Sequence, residues 1–137
     1  MRTALPLCLL TLAVTGCGAG ATDSAKKFEG ETQRVAATVE GLESAARADE
    51  PGKVCTTLLS GALLATLKKQ GTNCNTAVKD AFSDADSLDL VVDEVKIDDD
   101  KATAKVTSGR GDAKKTDTLD LVRDGQAWKI VSLRAAG

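Results

Sequence analysis

The chain has no histidine and no tyrosine, and only three aromatic residues, Phe28, Phe82 and Trp128. Each absence removes a class of chemistry. Without imidazole there is no group that titrates near neutral pH unaided, and a cysteine nucleophile has no usual base to activate it. A zinc site needs about four Cys or His ligands, and the supply is too small. A core with so few rings must be built from Leu, Val, Ile and Ala. Charge of one sign is also missing: the formal net charge is −2 over 137 residues. The densest basic groups are the pairs Lys26-Lys27, Lys68-Lys69 and Lys114-Lys115. A nucleic-acid binder would show a basic patch, and none is present. Asp98-Asp99-Asp100 lacks the alternating ligands, the glycine and the late glutamate of a calcium loop. Asp84, Asp86 and Asp89 fail the same test, and no metal ligand or cofactor is assigned. Arg110-Gly111-Asp112 spells an integrin-recognition tripeptide, but three such residues arise easily in a glycine-containing turn.

What is present is a globular composition, 42% apolar and 28% charged, at the length of one domain. The chain opens with Arg2 and then an uncharged, mostly apolar stretch from Ala4 to Gly16. That stretch falls well short of the ~20 residues of a membrane-spanning helix, and it has the positive end and small terminal residues of a secretory signal. Val14-Thr15-Gly16-Cys17 resembles the bacterial lipobox, with Val14 where Leu is commoner. That resemblance implies cleavage before Cys17 and a diacylglyceryl thioether on Cys17, whose acyl chains hold the protein at the membrane. Residues 1–16 are then a signal peptide and residues 17–27 a lipidated cysteine with a small, polar tether. The domain occupies residues 28–137, outside the cytoplasm, on the outer face of the cell membrane.

Cys8 leaves with the signal and Cys17 is taken by lipid. Cys55 and Cys74 remain, in a compartment where disulfides persist, and two thiols allow one pairing.

The spacing predicts a helix over Phe28 to Ala48, with Phe28, Val35, Val39, Leu42 and Ala46 on its apolar face. Glu31, Arg34, Glu40, Glu43 and Arg47 fall on the other face. Asp49-Glu50-Pro51-Gly52 ends the helix. Val54 to Gln70 reads as a second helix or two short ones divided at Ser60-Gly61. Asn75 to Phe82 reads as a third, capped by Asn73 or Asn75. After Asp86 the period drops to two. Leu88, Leu90 and Val92 alternate, and a slip before Val95 and Ile97 predicts a bulge. Turns at 98–100, 108–112 and Asp124-Gly125 separate four strands. The expected fold class is α+β, with three N-terminal helices packed on a curved, four-stranded antiparallel meander.

Three pieces carry a family resemblance: "ARADEPGKVCTTLL" at the first helix end, "VVDEVKIDDDKATAKV", and "DTLDLVRDGQAWKIVSL". Residues 28 to 134 resemble the nuclear transport factor 2-like, or cystatin-like, α+β cones, and especially the small lipoproteins of that superfamily in high-GC Gram-positive bacteria. Larger members carry a hairpin between the second and third helices, and here that stretch is only the turn from Gly71 to Cys74. The resemblance implies a cone whose lining includes Leu59, Leu63, Phe82, Val106, Leu121, Trp128 and Ile130. All are apolar, whereas enzymes of this shape place Asp, Tyr or His inside. Trp128 is either the largest core side chain or a stacking platform at the cone mouth.

The expectation is a non-catalytic binding or interaction module, holding a small apolar ligand in the cone or a protein on the exposed sheet face. That face would carry Thr103, Lys105, Thr107, Asp120, Val122, Lys129, Val131 and Leu133. Sheet-face homodimers are common in the families it resembles. The competing expectation is a small isomerase or dehydratase, which an ionisable group inside the cone would favour.

Overall fold

The computed structural model describes residues 23–84, 89–109 and 111–135, with the backbone alone for Asp84 and for 133–135. The signal, Cys17, Asp86 and Arg110 lie outside the described residues. Among those described, no helix is long and apolar enough to cross a membrane.

A short 3-10 turn, Ser24–Lys27, precedes the long helix α1, Gly30–Arg47. The expected start at Phe28 is two residues early. Glu29 is extended and Gly30 has a φ of +57°, a left-handed conformation that favours glycine and that holds the chain out of the helix until there. Pro51 does not merely end α1. It takes the first position of the next element, where its missing N–H costs nothing, and opens α2, Pro51–Lys53. That turn continues as a π-helical turn, Val54–Leu58. Gly41 of α1 is where this turn passes close by: a Cβ there would stand 3.3 Å from a Leu58 methyl.

The stretch expected as one helix or two from Val54 is broken at Leu59, which is extended and forms a parallel bridge to Ile130. The Ser60 N–H donates to the Ile130 carbonyl at 2.8 Å. Its Oγ then accepts from the Leu63 N–H, capping α3, Gly61–Lys69. Helix α4, Cys74–Asp84, begins after Asn73, whose side-chain oxygen accepts from the Thr76 N–H. Among the described residues there are thus four α-helices, not three, because Pro51 starts a helix and the pairing of Leu59 and Ser60 with a strand interrupts another.

The sheet has the order β1-β2-β3-β4, antiparallel throughout: β1 Leu90–Asp98, β2 Lys101–Ser108, β3 Lys115–Asp124 and β4 Ala127–Ala135. The expected bulge in β1 lies between Val92 and Glu94. In the last hairpin Gly125 stands first in a two-residue turn, with a φ of +63°. A second bulge, in β4, has no counterpart in the sequence expectations. Asp120 faces Ser132 and Leu121 faces Ile130, so Val131 is the extra residue.

Helix α1 crosses one face of the sheet. Val35, Ala36, Val39 and Ala45 are fully buried against a layer that includes Val92, Ala102, Ala104, Val106, Leu119 and Leu121. The helical flank is fastened by a disulfide between Cys55 in the π turn and Cys74 at the start of α4, with Cα atoms 6.1 Å apart.

Closing a loop with a sequence separation of 19 stabilises by roughly 3 kcal/mol on the chain-entropy account. The double substitution Cys55→Ala/Cys74→Ala should lower unfolding stability by that amount in urea denaturation, with a steeper slope because the unfolded chain, no longer cross-linked, exposes more surface.

Candidate functional site

Strand pairing separates the two faces of the sheet. On the face away from α1, Lys96 of β1 stands opposite Thr103, Thr103 opposite Asp120, and Asp120 opposite Ser132. Two residues nearer the β1–β2 hairpin, Asp98, Lys101, Val122 and Lys129 form a second such row. Between the rows lie Ile97, Ala102 and Leu121. Their side chains turn into the core, so their backbone is the floor here. The β4 bulge adds Val131 to this face, and Ala62 closes one end from α3. The result is a groove of about 570 Å³. That size lies within the range of small-molecule sites.

The polar and charged side chains of the groove are Lys96, Asp98, Lys101, Thr103, Asp120 and Ser132. Ser132 Oγ donates to Asp120 Oδ2 at 2.6 Å. Lys96 pairs with Glu94 at 3.3 Å. A smaller recess of about 230 Å³ adjoins the groove, lined by Glu94, Lys96, Thr103, Lys105 and Thr118.

The residues expected to line the cone are distributed differently. Val106, Leu121, Trp128 and Ile130 are brought together, but as buried members of the solid layer under α1. Leu59 and Phe82 pack half-buried against that layer. Leu63 sits half-buried on α3, a helix with no buried residue. Only Leu121 of the seven also borders the groove. Of the residues expected on the exposed face, Thr103, Asp120, Val122 and Val131 border the groove and Lys105 the smaller recess. The bulge changes the phase beyond Val131: Ser132 stands opposite Asp120, and Leu133 opposite Leu119, which is buried. Putting Leu133 on the same face as Val131 assumed an unbroken strand.

Trp128 is 3% exposed, and its indole N–H donates to Glu31 Oε2 at 3.0 Å. The Arg123 guanidinium lies 4.8 Å over the ring. Between the two readings left open for it, the geometry is that of a core anchor.

Three acids of α1 expected to face solvent have tertiary roles instead. Glu31 binds Trp128 and pairs with Arg123 at 3.1 Å. Glu40 accepts the Ala25 N–H at 2.6 Å, tying down the 3-10 turn. Glu43 is 0% exposed and pairs with Arg47, whose Nε and Nη2 lie 3.1 and 2.8 Å from its Oε1. Arg47 also reaches Asp89, at the start of β1. A signal for Glu43 existed: Ala36, Val39, Glu43 and Ala46 are spaced three, four and three, one buried stripe of a helix.

Residues 64–133 match the family model described as "Putative lumazine-binding". A solved structure of a SEC-C motif containing protein from Rhodopseudomonas palustris is similar over 78% of this chain and 76% of that one, at 15% identity and a TM-score of 0.44. No curated protein matches the chain.

Two substitutions check this arrangement. Trp128→Phe should cost about 2 kcal/mol, chiefly the hydrogen bond to an ionised Glu31, and should leave any ligand affinity of the groove unchanged. Arg47→Met should cost about 3 kcal/mol, because it removes a charge partner from buried Glu43. The double variant Glu43→Met/Arg47→Met should recover most of that loss in the same denaturation assay.

Proposed function

Because this chain belongs to the family described as "Putative lumazine-binding", one of nuclear transport factor 2-like fold, we propose that it is a ligand-binding module, lipid-anchored outside the cytoplasm, that does not transform what it binds. The ligand is a small molecule of the lumazine class, taken by the groove on the outer face of the sheet. The observation that carries this is the groove itself: about 570 Å³ over a floor of sheet backbone, with Thr103, Asp120 and Ser132 to fix orientation. The helix side of the sheet, where the superfamily resemblance would put a ligand, is occupied by Val35, Ala36, Val39 and the strand residues they touch.

Three features support a lipid anchor on Cys17 and a bacterial, high-GC Gram-positive type of lipoprotein: the lipobox-like Val14-Thr15-Gly16-Cys17, the polar tether after it, and the disulfide, which suits an oxidising compartment. The chain then runs as a signal over 1–16 and a tether from Cys17; of the stretch 17–27 expected as tether, Ser24–Lys27 packs with the domain through buried Ala25.

One observation bears on the isomerase or dehydratase alternative. Glu43 is an ionisable group on the inner side, as such an enzyme would require. Its carboxylate is engaged by Arg47, which ties α1 to the start of β1, and this favours a structural role. A homodimer through the sheet face would cover the same groove, so ligand and second copy compete for it.

Titrating lumazine against the mature domain, followed by the ligand's own fluorescence, should give saturable one-to-one binding. Ala62→Trp fills the end of the groove and should weaken that binding at least about tenfold without lowering stability. Saturable binding that Ala62→Trp leaves unchanged would put the ligand elsewhere. Protein recovered from its own membranes should carry the diacylglyceryl mass on Cys17, and Cys17→Ser should shift it to the soluble fraction.

A further inference from the structure

The groove and the smaller recess share two residues, Lys96 and Thr103, and so form one continuous trough across the sheet. Its two compartments differ in chemistry. The main groove is walled at its β4 end by Ala62, Val122 and Val131, and the charges of its other side chains, Lys96, Asp98, Lys101 and Asp120, cancel. At the β1–β2 end the walls are Lys96 and Lys105 with the hydroxyls of Thr103 and Thr118, against a single acid, Glu94. Glu94 is already paired with Lys96, so Lys105 supplies a net positive charge there. Lys105 makes no ion pair among the described residues.

We infer that the trough takes a two-part ligand, a flat fused-ring head on the Val122–Val131 side and a phosphate-bearing tail in the Lys96–Lys105 recess. This rests on the binding reading above and goes further by fixing the ligand's class and its direction in the site. Between the two rows of side chains the floor is sheet backbone, along which a planar ring can lie with its area covered. Asp120 and Ser132, whose hydroxyl proton goes to Asp120, present acceptor oxygens there to ring N–H groups. A recess of about 230 Å³ exceeds what a phosphate alone needs, and leaves room for the short linker that joins it to the ring. Ammonium and hydroxyl donors suit phosphate oxygens, which accept and do not donate. The ligand therefore has a preferred orientation: reversed, its phosphate would meet Ala62, Val122, Val131 and the Asp120 carboxylate and lose the net positive charge of the recess.

Riboflavin and riboflavin 5′-phosphate test this, because they share a head and a linker and differ only in the phosphate. The mature domain is titrated with each by flavin fluorescence, in low and in high salt. The phosphate form should bind about five- to tenfold more tightly in low salt, and that margin should close in high salt. Lys105→Ala, which touches the recess alone, should erase most of the margin and leave riboflavin binding unchanged. Lys105 is exposed, so this variant should keep the wild-type thermal midpoint. Equal affinity for the two flavins overturns the phosphate recess while the binding module stands. So does a Lys105→Ala variant that weakens both flavins alike. If lumazine binds and neither flavin does, the two-part ligand is overturned alone. If neither flavin nor lumazine binds, both readings fall.

Discussion

Everything in this fold depends on how closely α1 lies on the sheet. The side chains between them are short: Val35, Ala36, Val39 and Ala45 on the helix, Val92, Ala102, Ala104 and Val106 on the strands. Residues this small fill the layer only if the two elements approach each other closely, since protein interiors pack to crystal-like density. The scarcity of aromatic residues leaves no other way to fill it. A core made so thin has little volume to give to a ligand, and the open groove lies on the other side of the sheet.

Close approach along the middle of α1 has to be held in register at both ends, and acidic side chains do that. Glu31 fastens one end to Trp128 and Arg123 on the β3–β4 hairpin. Glu40 holds the 3-10 turn that precedes the helix, and Ser24 of that turn accepts the Val92 N–H of β1. Glu43, through Arg47, reaches Asp89 where β1 begins. Such contacts add less than apolar burial, but each is directional, and a buried carboxylate tolerates only arrangements that pair it. The helix is thereby fixed in rotation as well as in distance.

The edge of the sheet is finished from outside it. Leu59 and Ser60 bond to Ile130 along β4, and the Lys129 ammonium reaches the Thr57 carbonyl. That edge pairing breaks the second helical stretch and, with the cap on Ser60, aims α3 so that Ala62 ends at the groove. The bulge at Val131 adds a valine to the same place. The groove is therefore made by two irregularities, one in a helix and one in a strand, on a sheet whose regular parts would be flat.

Periodicity alone determined much of this. A 3.6-residue pattern that gives way to alternation after residue 86 marks an α+β chain with helices first, and the slip at Val92 marks the β1 bulge. The export-like start and two remaining thiols pointed to the pairing of Cys55 with Cys74. Those features are local, so the residues that encode them are neighbours. Tertiary structure decided the rest. Glu43 has the spacing of a core residue and the chemistry of a surface one, and the Arg47 guanidinium beside it helps to make burial tolerable. The break at Leu59 exists because β4 offers it a partner, 71 residues away in sequence. Nothing in "WKIVSL" announces the bulge, since four of its residues suit either face. Which face of the sheet is covered by helix and which is left open for a ligand is a property of the assembled layers, and of no single segment.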